Sequence, residues 1–264
     1  MASFTIGADV EVFLYKGERP FNLAGKIAGT KHKPTKTDFG VESWDNVSYE
    51  FAINYTSDPH VFSSRIQAGK QRAEEVAALF DCMVRIDASA VFKPEELDTK
   101  EALTFGCEPD FSAWSLMENV NPMLRAKNLP EGLRSCGGHI HIGCKVDHIQ
   151  LVRLLDLHLS VPLVRLDKDV RRRGLYGRAG SHRKKPYGVE YRAPSNCWIK
   201  DPNYVHWVYF TVADCVRKAE KPDNWVNKED AKRVIYCINT SNEELALELM
   251  REHYIKDPNS ASYL

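Results

Sequence analysis

The chain has 264 residues, 36 basic and 36 acidic, with 43% apolar and 27% charged residues, which suits a globular protein with room for a large core. Zero net charge gives no support to general polyanion binding, no apolar run reaches bilayer length, and MASFTIGADVEVF lacks the basic-then-apolar layout of a secretory leader. Seven scattered cysteines without a CxxC pair favour reduced thiols in a cytoplasm over a disulfide framework or a cysteine zinc site.

Residues 4 to 15 alternate. Phe4, Ile6, Ala8, Val10, Val12 and Leu14 share a core face, and Asp9 and Glu11 share the other. Two carboxylates side by side repel unless a cation or base lies between them, so they are either a solvent-facing pair or metal ligands. A turn at 17–20 leads to a second predicted strand at 21–31 and a basic loop, where Lys26 and Lys31 either meet phosphate oxygens as point charges or, by default, are solvated. Residues 44–47 form a turn into a strand at 48–55, with Tyr49, Phe51 and Ile53 on one face. Glu50, on the other face among small residues, is an edge charge or a group reaching into a cavity.

Ser57-Asp58-Pro59 starts a helix predicted to run to about residue 81. A strand follows at 83–92. The aromatic loop FGCEPDFSAW at 105–114 carries Glu108 and Asp110, and either lines a pocket or plugs the core. The stretch SCGGHIHIG at 135–143 puts His139 and His141 on one strand face and Ile140 and Ile142 on the other, beside two glycines that suit a bulge or close backbone approach. Asp147 caps a long helix to about residue 169, kinked at Pro162.

The segment RRRGLYGRAGSHRKK at 171–185 reads as a basic loop, either a solvated or nucleic-acid-binding patch or a binder of phosphoryl groups. YGVEYRA at 187–193 is a further strand, with Glu190 and Arg192 on one face. Helices are predicted at 203–218, 228–237 and 243–254, the last with Ser241 and Glu244 in a capping-box pattern. No repeat or linker divides the chain, so one domain over 1–264 with a helical tail from about 203 is expected.

Several strands thus pair an apolar face with an ionisable one. If they share a sheet, carboxylates and imidazole converge on one side, a set that suits Mg²⁺ or Mn²⁺ and more than one ion. Nearby Arg and Lys suggest an anionic ligand such as ATP. Two rival readings follow from the same residues: a metal-dependent hydrolase built on His139, His141 and Asp9, and a non-catalytic nucleic-acid-binding module using 171–185.

The motifs GADVEVF, GKIAGTK, DNVSYEF, FGCEPDF, LRSCGGHIHIG and LYGRAGSHRKKPYGVEYRAPSN, in that order from Gly7 to Asn196, resemble the carboxylate–amine ligases related to glutamine synthetase. The nearest branch is the phage-type amidoligase type 2. The resemblance implies an α+β fold: a curved, mainly antiparallel sheet with helices on its convex face. It implies ATP, two or more Mg²⁺ or Mn²⁺ ions, small-molecule or peptide carboxylate and amine substrates, and, for a phage protein, the host cytoplasm. Carried over, Glu11, Glu50, His139, Glu190 and Asp9 are metal-ligand candidates, although the wider family often has Glu where Asp9 stands. His141 would face substrate or phosphate, and Arg192, Arg183 and Arg178 would serve catalysis at the γ-phosphate. Lys31, Arg134 and Lys185 are phosphate-binding candidates, and Asp110 and Asn196 substrate-binding ones.

Overall fold

The computed structural model describes residues 4–103, 110–120, 129–221 and 223–260. Its spine is strand β1 (Thr5–Lys16), whose residues Ile6, Ala8, Val10, Val12 and Leu14 are all buried. Twelve strands are described, in chain order: β1, β2 (Arg19–Phe21), β3 (Thr35–Lys36), β4 (Gly40–Asp45), β5 (Ser48–Thr56), β6 (Met83–Arg85), β7 (Ser89–Val91), β8 (Phe111–Ser112), β9 (Leu133–Ser135), β10 (Gly138–Gly143), β11 (Ser181–Lys185) and β12 (Gly188–Tyr191). The main sheet runs β3-β4-β5-β1-β10-β12-β11-β8, with β2 and β6 on the far end of β1, while β7 and β9 pair separately. Every pair of these strands is antiparallel.

Register lines up the ionisable residues. Asp9 lies opposite His139, Glu11 opposite Glu50, His141 opposite Glu190, and Glu190 opposite Arg183. Directly opposed residues on one sheet face have Cβ atoms only ~4.5–5.5 Å apart, so strands remote in sequence deliver one row of charge.

The apolar face packs on the helices Pro59–Ala78, His148–Leu155 and Pro202–Ala219, through residues such as Phe62, Ile66, Leu151, Leu155, Val208 and Val212. Asp58 caps the first of these, accepting from the His60 and Val61 N–H groups. The helices Lys228–Thr240 and Glu243–Glu252 form a second cluster with Leu157, Val161 and Val164.

The structure departs from the sequence expectations in five places. The strand expected at 21–31 is a run of turns, because Gly25 and Gly29 adopt positive φ and the Asn22 side chain caps the Ala24 N–H. The strand expected at 83–92 is two short ones in different sheets, β6 on β1 and β7 on β9. The long helix after Asp147 widens into a π turn at Asp156–Ser160 just before Pro162, which has no N–H to continue the ladder.

The basic stretch 171–185 is not a loop. Asp169 caps the helix Val170–Leu175, β11 follows, and only 176–180 connects them. Finally, Asn242, not Ser241, caps the last helix. Ser241 closes the preceding helix in the left-handed conformation. Glu108 lies outside the described residues.

Candidate active site

The ionisable face of β1, β5, β10 and β12 lines one cavity of about 200 Å³. Ten of the residues singled out in the sequence meet there: Asp9, Glu11, Lys31, Glu50, Arg134, His139, Arg183, Lys185, Glu190 and Arg192. Asp110 stands beside it, 3.7 Å from Arg192 Nε. Arg178 is not among the lining residues. Asn196 is buried behind the cavity, where its side chain donates to the Glu11 carbonyl at 2.9 Å and the Asp87 carbonyl at 3.2 Å.

At one end, carboxylate oxygens of Glu11, Glu50 and Asp45 all lie within 4.8 Å of one another. The sequence places Asp45 in a turn at 44–47. It in fact ends β4, whose two-residue connection to β5 turns through Asn46 in the left-handed conformation. The alternation Val41, Ser43, Asp45 was the available signal, but it is short and contains one apolar residue. Burial raises the Glu50 carboxyl well above its usual range, and Asp9, Asp45 and Glu11 push it further; burial and Asp45 likewise raise Glu11. Lys31 Nζ offsets part of this charge, 3.1 Å from Asp45 Oδ2. Three mutually repelling carboxylates with oxygen donors only are the donor set of a hard divalent cation, which would relieve the repulsion.

At the other end Glu190, 2% exposed, gathers cations. It accepts from Arg192 Nη1, from Arg183 Nη1 at 3.3 Å, and pairs with Lys185 Nζ at 2.9 Å. Burial alone would raise its carboxyl, but Arg192 and Arg183 outweigh that and bring it to about 2. His139 Nδ1 lies 3.3 Å from Arg192 Nη1. Burial, then Arg192, holds its imidazole neutral, the form that can ligate metal.

Gly137 locks the strand entry. Its N–H donates to Glu11 Oε2 at 2.6 Å while its carbonyl accepts from the Glu11 N–H at 3.0 Å, and a Cβ there would overlap the His139 ring. A bare backbone is therefore required at this position.

His141 faces elsewhere. Its Nε2 is 2.7 Å from Asp9 Oδ2 and its Nδ1 is bonded to the Tyr187 hydroxyl. Burial lowers its pKa, but Asp9 more than reverses this. His141, Tyr187 and the exposed Tyr55 line a second cavity of about 690 Å³ that shares Asp9 with the first. The sequence places Tyr55 at the end of one predicted strand and Tyr187 on the face of another with Val189 and Tyr191, but β12 starts only at Gly188 and leaves Tyr187 exposed in the turn before it.

The basic stretch divides between surface and interior: Arg171 and Lys184 are exposed. Arg172 and Arg173 are buried, and Arg183 and Lys185 point into the first cavity.

Residues 113–253 match the family described as phage phiEco32-like COOH.NH2 ligase-type 2. The chain belongs to that family. The family read from the motifs therefore holds, with a different extent: the match begins after GADVEVF, GKIAGTK, DNVSYEF and FGCEPDF, takes in the helical tail, and spans His139, His141, Arg183, Glu190 and Arg192. No curated protein sequence matches the chain. Among solved structures, a Plasmodium falciparum glutamine synthetase is 12% identical, with a TM-score of 0.41 over 83% of this chain and 52% of that one. A GmaS/ADP complex is 12% identical, with a TM-score of 0.40 over 98% and 70%. The chain thus spans about half the length of the glutamine synthetase it matches. Among the described residues no helix is long and apolar enough to cross a membrane.

Proposed function

We propose that the chain is an ATP-dependent carboxylate–amine ligase working through an acyl phosphate, on a sheet curved as in glutamine synthetase. The observation that carries this reading is the two-ended first cavity: an oxygen-only trio for a cation, facing a cluster of Arg and Lys suited to phosphoryl oxygens.

In this reading Glu11, Asp45 and Glu50 hold one divalent ion. Asp9, His139 and Glu190 hold a second once the cations on Glu190 turn to phosphate. Such ions would supply charge neutralisation between two anions that must meet, the substrate carboxylate and the γ-phosphate. The first cavity, about 200 Å³, falls below the ~300–1,000 Å³ of pockets that enclose a drug-sized ligand. A nucleotide base and ribose therefore belong in the adjoining cavity of about 690 Å³, between Tyr55 and Tyr187, with the phosphates passing Asp9.

Arg192, Arg183 and Lys185 then steady the γ-phosphoryl group as its charge spreads. A carboxylate oxygen attacks phosphorus and the bond to the β-phosphate oxygen breaks, releasing ADP. The amine nitrogen attacks the acyl carbon, the carbon–oxygen bond to phosphate breaks, and the amine's proton passes to the departing phosphate. His141, held by Asp9 and Tyr187, lines the second cavity beside the shared Asp9, where it would face the phosphates.

The test is ADP release that requires a carboxylate and either an amine or hydroxylamine, with the acyl group recovered as hydroxamate. Amide hydrolysis dependent on metal but not ATP would instead favour a hydrolase built on the histidine strand.

A further inference from the structure

The reaction above gives no role to Arg172, although it is 1% exposed and lines the first cavity. Its guanidinium makes three hydrogen bonds, all to main-chain carbonyls: Nε to Cys136 at 2.9 Å, Nη1 to Ala193 at 3.0 Å and Nη2 to Pro194 at 2.8 Å. Those carbonyls flank an irregularity in the sheet. The β10–β12 ladder is regular from Gly143↔Gly188 to Ile140↔Tyr191, but the next bridge is Gly137↔Ser195. Three steps on one strand therefore face four on the other, and the register slips by one.

A slip of this kind orphans main-chain carbonyls and re-aims side chains. The two site residues inside it are His139 and Arg192, which meet at 3.3 Å. Arg172 binds carbonyls on both sides of the slip at once, sharing Ala193 with Arg173 Nη1 and Pro194 with the Gly138 N–H, which lies 3.2 Å from it. Gly177, at φ +68°, leaves room for it, since a Cβ there would overlap Arg172 Nη1.

We propose that Arg172 is a positioning residue: its planar three-way grip on Cys136, Ala193 and Pro194 fixes the slipped register that sets His139 against Arg192. The inference rests on the reading that this cavity holds a divalent ion against phosphate. A lysine would keep the charge but not the fork, since an ammonium is a point donor without the planar array.

The experiment compares wild type with Arg172→Lys, using circular dichroism for folding, Mn²⁺ titration by electron paramagnetic resonance with a non-hydrolysable ATP analogue present so that the ion beside His139 can bind, and the ring ¹H–¹⁵N resonances of His139 without metal. The folded variant is expected to bind its second Mn²⁺ about 10–100-fold more weakly, the range typical of residues that orient metal ligands. Its His139 ring signals should shift, and kcat should fall more than the KM for ATP rises. If Arg172→Lys does not fold, Gly177→Ala, which displaces the guanidinium without changing any charge, is read in the same way. A folded variant with wild-type Mn²⁺ affinity and unmoved His139 signals overturns the proposal. If wild type binds no Mn²⁺ while the His139 signals still move, the ligase reading fails and the positioning role stands.

Discussion

Replacing Glu50 by Gln separates a cation site from an ordinary acidic cluster, because it should stabilise the metal-free protein while removing most of the stabilisation that metal gives wild type. The carboxylate oxygens of Glu11, Asp45 and Glu50 lie within 4.8 Å of one another. Two full charges at about that separation repel by about 3 kcal/mol at an effective dielectric of about 20. The raised pKa values of Glu11 and Glu50 mean that protonation already relieves part of this. The metal-free variant should therefore be more stable than wild type by about 1–3 kcal/mol, or about 2–10 °C in Tm for a chain of this size. Ser43 Oγ, which donates to Glu50 Oε2 at 3.3 Å, keeps its acceptor in the amide.

With Mn²⁺ at about 100 times the wild-type Kd, wild type should gain about 2.7 kcal/mol. A variant with at least about 100-fold weaker affinity should gain only about 0.4 kcal/mol. Thermal denaturation in EDTA and in Mn²⁺ gives all four values. A variant that is less stable than wild type in EDTA, yet stabilised equally by Mn²⁺, would refute the reasoning.

Three other outcomes follow from the same geometry. Glu190→Gln strips the shared counter-ion from Arg183, Lys185 and Arg192. It should abolish turnover and cost about 3–5 kcal/mol of stability, the usual loss when one member of a buried ion pair is removed, with partial recovery of Tm in phosphate. Tyr55→Ala and Tyr187→Ala should raise the KM for ATP with a smaller effect on kcat, measured by steady-state kinetics at saturating carboxylate and amine.

Asp156, fully buried, is raised by burial from 3.8 to about 6 despite accepting from the Tyr191 hydroxyl and Trp114 Nε1. Its folded form holds a proton more tightly than its unfolded form. Its contribution to stability is therefore full below about 4 and lost as pH rises through about 6, on the order of 3 kcal/mol. Asp156→Asn should flatten that part of the Tm–pH curve.

The faces of the site strands were legible because alternation is local. Each of β1, β5, β10 and β12 carries its own apolar row, and a strand buried on one side must turn its other residues to the opposite face. Pairings were not legible, since nothing in Asp9 or His139 alone says that they stand opposite each other. Asp45 escaped because its role depends on a hairpin partner. Arg172 and Arg173 escaped for a stronger reason. A run of arginines reads as solvated surface, and burial becomes possible only when acceptors arrive from residues 136, 177, 193 and 194. The strand expected at 21–31 failed in the reverse sense, because its apolar residues suggested a ladder while two positive-φ glycines bent the backbone away from one.

The most direct test of the account is anomalous diffraction from crystals grown with Mn²⁺ and a non-hydrolysable ATP analogue. One Mn²⁺ is expected on the carboxylates of Glu11, Asp45 and Glu50, a second beside His139 and Glu190, and the nucleotide base between Tyr55 and Tyr187. Ions bound only outside this cavity, or a nucleotide on another face of the sheet, would contradict it.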